Sequence, residues 1–99
     1  MYTRMLHFEA NSNKKPDMLK IMDHMIPKIK AQKGCKDCMF IMENHEGSYA
    51  LLVFWETKAH ADAAAVIIGP ELIPALDKIA KEPVRPLLYE VYQPGVLVS

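Results

Sequence analysis

The chain has 99 residues, with 12 basic and 12 acidic groups and a formal net charge of +0. That length suits one domain over residues 1–99, and a hydrophobic content of 51% supports a packed core rather than disorder. The balanced charge gives no field to attract nucleic acid or an anionic membrane, two cysteines are too few for a disulfide-stapled scaffold, and no unbroken apolar run reaches the roughly 18–20 residues of a bilayer span.

Met1-Tyr2-Thr3-Arg4 leads into an alternating segment rather than the apolar stretch of a signal peptide, so the expected location is the cytoplasm. Tyr2 to Ala10 alternates and predicts the first strand. Pro16 suits a first helical turn and Asp17 its positive end. From Asp17 to Lys33, Met18, Ile21, Met22, Met25, Ile26 and Ile29 recur at spacings of three and four, the pattern of an amphipathic helix. Pro27 removes a backbone donor, so a kink or split is expected near His24. Gly34 supplies the stop.

Asp37 to Asn44 and Tyr49 to Glu56 read as the second and third strands, joined by a hairpin loop through Gly47. Thr57 is the expected cap of a second helix from Lys58 to about Ile68, which Gly69-Pro70 should break. Pro70 then opens another helical piece carrying Leu72, Ile73, Leu76, Ile79 and Ala80. Val84 to Gln93 is the last strand, and Pro83 and Pro86 assign it to a sheet edge. Pro94 to Ser99 is an apolar tail, expected to pack on a partner subunit. The resulting order, βαββαβ, predicts an α+β, ferredoxin-like fold with helices on one face of a four-stranded antiparallel sheet.

The strands are apolar on both faces. In the third, Tyr49, Leu51, Val53 and Trp55 alternate with Ala50, Leu52 and Phe54. One set of helices covers one face, so the other should be buried against a second copy as a two-fold, sheet-to-sheet homodimer.

Several segments together resemble the antibiotic-biosynthesis monooxygenase family across nearly the whole chain: Lys15-Pro16 opening the first helix, Lys33-Gly34-Cys35 before the second strand, Trp55-Glu56-Thr57-Lys58-Ala59 closing the third, and Leu88-Tyr89-Glu90-Val91-Tyr92 in the last. The resemblance implies a dimeric α+β barrel with a pocket between sheet and helices. It also implies a cofactor-independent monooxygenase in which a deprotonated quinol or electron-rich aromatic reduces O₂ itself. A related branch binds and degrades heme, and a non-catalytic dimer that binds a small apolar ligand is the alternative of a different class. The histidine that family members carry after the tryptophan falls at Ala63 here, and the nearest histidine is His60.

Trp55 is read either as core or as a flat wall for an aromatic ligand. With Tyr49, Phe8, Phe40, Met22 and Met25 it forms the candidate substrate-binding set; the methionines equally suit a loosely packed core. His60, in the first turn of the second helix, and His7, paired by alternation with Glu9 on the dimer-facing side, are the candidate acid/base residues; His7 and Glu9 equally suit a polar patch inside the barrel. His24 and His45 are expected in solvent. Cys35 and Cys38 follow a helix rather than precede one, so they lack the positive helix end that activates redox pairs, and they read as structural. No metal site and no bound cofactor is expected.

Overall fold

Strands β1 (Tyr2–Glu9) and β3 (Ser48–Trp55) form the centre of an antiparallel sheet. β3 is an almost unbroken apolar run and β1 alternates, the even-numbered residues from Leu6 to Ala10 being buried. The computed structural model describes residues 1–43, 47–92 and 94. The other elements are a short 3-10 turn (Ser12–Lys14), α1 (Lys15–Lys30), β2 (Cys35–Met42), α2 (Lys58–Asp77) and β4 (Pro86–Glu90). The order across the sheet is β2-β3-β1-β4, the ferredoxin-like arrangement expected from the order of elements. His45 and tail residues 95–99 lie outside the described residues.

Register decides which side chains share a face. Arg4 pairs with Val53, Leu6 with Leu51 and Phe8 with Tyr49; across β2, Cys38 pairs with Val53 and Phe40 with Leu51. These residues face the helices, and all but Arg4 and Phe40 are fully buried. The opposite face presents Met39, Ile41, Leu87 and Tyr89 exposed and Met5, Leu52 and Phe54 half-buried. His7 is on that outer face, where alternation placed it.

The prolines behave differently from expectation. α1 runs unbroken through Pro27, and α2 runs unbroken through Gly69, Pro70 and Pro74. All three prolines are exposed. A proline leaves the carbonyl four residues before it without a partner. For Pro70 that residue is Val66, itself 75% exposed, and water can satisfy the group. The break expected after Ile68 is therefore absent. β4 is shorter than expected because its prolines delay pairing until Pro86, and it lies at an edge as they required. Val84 instead donates its N–H to the Asp77 carboxylate at 2.8 Å, fixing the end of α2.

α2 has the length and composition of a membrane-crossing helix, yet it is a wall of this domain. Ala61, Ala64, Ile68, Leu72 and Leu76 are buried, while Lys58, Asp62 and Glu71 face outward.

Candidate functional site

Trp55 ends β3 and is buried. Two residues later Thr57 starts α2, its hydroxyl accepting the His60 N–H at 3.1 Å. The sheet-facing stripe of α2 then runs Ala61, Ala64, Ala65, Ile68, Gly69, Leu72. Three alanines and a glycine in six positions are too short to fill the space above Leu6, Leu51, Val53 and Trp55. A half-open cavity of about 140 Å³ remains, closed on one side by Ile29 of α1 and on another by Pro86. That volume is close to the ~150 Å³ that holds a benzene ring in a designed protein cavity.

Arg4 is the one charged residue lining it. Its strand neighbours on that face are Val53 and Leu88, so the side chain rises from an apolar surface towards α2. There Nη2 donates to the Ala61 carbonyl at 3.5 Å and to Asp62 Oδ1 at 3.3 Å. Asp62 is also held by Lys58, whose Nζ lies 2.7 Å from Oδ2. The Lys58 hydrogen bond, with that from Arg4 added, keeps the Asp62 carboxyl below the usual carboxylate range.

The residues chosen from sequence divide. Trp55 lines the cavity. Tyr49, Phe8 and Phe40 form an aromatic cluster with centroids 5.8–6.4 Å apart at the opposite end of the sheet. Trp55 lies six positions along the strand from Tyr49, roughly 20 Å. Met22 and Met25 are fully buried under α1 and do not line the cavity. The His60 ring packs against Gly34, with Nδ1 2.9 Å from the Thr57 hydroxyl; it too lies outside the lining. His7 bonds the Ser48 hydroxyl at 3.0 Å on the outer face. His24 is exposed and reaches Glu71 of α2 at 2.9 Å, beside Lys28.

Cys35 and Cys38 are both unpaired. Burial pushes the Cys38 thiol up to about 11, and the Cys35 thiol is raised as well, again chiefly by burial. Neither is an activated thiolate. Among the described residues no cluster of His, Cys, Asp and Glu has the makings of a metal site.

Sequence reasoning missed Arg4 and the small residues of α2. The signal for Arg4 was present: it alternates with Leu6 and Phe8, a lone cation on the buried face of a strand.

No family model and no curated protein matches the chain. Solved structures do. Two proteins assigned to the antibiotic biosynthesis monooxygenases, from Deinococcus radiodurans and Nitrosomonas europaea, each superpose with a TM-score of 0.82. Their identities are 14% and 12%, covering 94% of this chain and 94% and 100% of theirs. SnoaB, a cofactor-independent oxygenase from Streptomyces nogalater solved as a point mutant, gives 0.75 at 14% identity over 93% of both chains. The chain has the antibiotic biosynthesis monooxygenase fold. At these identities the likeness to the monooxygenase structures concerns architecture, and activity has to be argued from the site.

Proposed function

We propose that the chain is a cofactor-independent oxygenase acting on a small electron-rich aromatic or quinol bound between α2 and the sheet. The observation that carries this reading is the ring-sized apolar cavity beside Trp55, at the junction of β3 and α2. Such a half-open cavity shields a flat ring from water on most sides and holds it by burial, with Trp55 as its wall. A phenol bound there supplies the electrons that O₂ consumes. One oxygen atom enters the ring as the second quinone carbonyl, and the other leaves as water with the phenolic proton and the displaced ring hydrogen. The reaction balances with O₂ as the sole oxidant and needs no bound cofactor.

The cavity fits heme poorly, because its volume is that of one ring and its lining offers no histidine, cysteine or tyrosine ligand. We place the protein in the cytoplasm, a reducing compartment that suits two unpaired thiols. The outer sheet face, with Met39, Ile41, Leu87 and Tyr89 exposed, we assign to contact with a second copy. Solution mass should then be twice the chain's 11.2 kDa.

Oxygen uptake across a panel of monocyclic hydroquinones and phenols tests the activity. Consumption above the autoxidation rate, with quinone formed, is expected for at least one. Quenching of Trp55, the chain's single tryptophan, without oxygen uptake leaves a non-catalytic ligand-binding dimer.

A further inference from the structure

Taking the cavity as the ligand site of the reading above, we propose that Arg4 selects ligands in their anionic form. The favoured ligand is a phenol of one ring, bound as phenolate with the ring beside Trp55 and the oxygen on the guanidinium.

Three observations converge. First, the cavity walls are apolar apart from Arg4, whose side chain is 19% exposed. A cation in such surroundings attracts an anion more strongly than the same cation in water. Second, the guanidinium is only partly engaged. Both of its hydrogen bonds among the described residues run from Nη2, at 3.3 and 3.5 Å, the long end of the range. Among the described residues Nη1 and Nε have no partner, and a guanidinium fork suits an oxyanion. Asp62 does not neutralise it fully, because Lys58 holds that carboxylate more closely, at 2.7 Å. Arg4, Asp62 and Lys58 together therefore carry a net positive charge. Third, the cavity contains no base. Among the lining residues there is no histidine or carboxylate; His60 packs against Gly34, and His7 is on the other face of the sheet. A phenol entering here gives its proton to bulk water, and Arg4 lowers the cost of that ionisation by holding the product. Of the other ionisable groups on this face, Tyr2 and Glu90 pair with each other beyond Arg4 towards the sheet's end, and Cys38 and Tyr49 lie outside the cavity lining.

The test compares para-nitrophenol with its neutral methyl ether, para-nitroanisole, under anaerobic conditions. Trp55 fluorescence reports occupancy, and nitrophenolate absorbance reports ionisation. The wild-type chain should bind the phenolate about tenfold more tightly than the ether. Bound nitrophenol should also ionise at lower pH than the free probe. Arg4→Gln should remove both effects, and Arg4→Lys should restore part of each. Asp62→Asn removes the competing carboxylate and should tighten nitrophenolate binding severalfold, leaving the ether's affinity unchanged. Equal affinities in the wild type, no binding of either probe, or a preference that survives Arg4→Gln overturns the proposal. If Arg4→Gln does not fold, an unchanged phenolate-to-ether ratio in Asp62→Asn overturns it instead. No oxygen is present, so these results stand apart from the uptake assay. Anion preference without turnover removes the oxygenase reading alone, and turnover without anion preference removes this one alone.

Discussion

α1 and α2 cover the same sheet with different side chains. Under α1 lie Met18, Met22, Met25 and Ile29, all buried, and the three unbranched methionines fill the irregular space above β2. Under α2 the corresponding positions hold Ala61, Ala64, Ala65 and Gly69, and the space is not filled. One half of the layer is core and the other half is a cavity, although both helices lay a stripe of buried residues on the same sheet. Apolar patterning brings a helix to a sheet; side-chain length decides whether the junction is solid.

The largest effect should come from opening the filled half. Met25→Ala or Met22→Ala removes a fully buried side chain, and an expected loss of about 2–5 kcal/mol follows from the lost burial and the new void. Urea denaturation measures it. Binding in the α2 cavity should change little in the folded fraction, since neither methionine lines it. A large loss of ligand affinity with intact stability would instead put the site under α1.

Next comes the turn that joins the two halves. Gly34 has φ +83, and its backbone supports the His60 ring at the start of α2. A Cβ there would lie 2.2 Å from His60 Cγ, and the left-handed conformation disfavours any side chain. Gly34→Ala is expected to cost about 2 kcal/mol, read from the shift in the denaturation midpoint. His60→Ala should recover part of that loss, because it removes the obstructing ring.

The sheet under α1 also sets a smaller, pH-dependent effect. Cys38 holds its proton up to about 11, against 9.0 for the unperturbed group. Between those values the folded chain keeps a proton that the unfolded chain has released. Stability is therefore at its full value below the unfolded thiol's pKa and falls as pH rises towards 11. Cys38→Ala should flatten that alkaline limb. At neutral pH, a disulfide-exchange reagent should label Cys38 only as fast as the chain unfolds.

Much of this architecture was legible in the sequence. Alternation over Tyr2–Ala10 and the apolar run Tyr49–Glu56 located the two strands that lie at the centre, Thr57 the start of α2, and Pro83 with Pro86 an edge strand. What stayed hidden depends on partners that are distant in the chain. Gly69-Pro70 is a local stop signal, overridden because Pro70 and Pro74 fall on the solvent face, where the freed carbonyls meet water. The seven methionines drew attention to α1 as the adaptable wall. The cavity lies instead where residues are small, and an alanine is informative only once the residue opposite is known. Trp55 was found because it is large; Arg4 was passed over because a charge on the apolar face of a strand shows no role until α2 and its small residues are placed above it.

The smallest expected effect is the most direct probe of the contrast between the helices. Gly69 lies inside α2 with ordinary helical geometry, and a Cβ built on it meets nothing within 4 Å. No steric reason therefore requires glycine there, and in a helix interior glycine costs roughly 0.5–1 kcal/mol relative to alanine. Gly69→Ala should stabilise the fold by about that amount. It also adds a methyl group to the cavity lining. If α2 is kept small to hold a ring, the more stable variant should bind nitrophenolate less tightly, and Gly69→Leu should bind it hardly at all while remaining folded. Parallel thermal melts and Trp55 quenching separate the two quantities. Stability and affinity rising together would mean that the gap under α2 is only loose packing. Stability rising as affinity falls would mark it as space kept for a ligand.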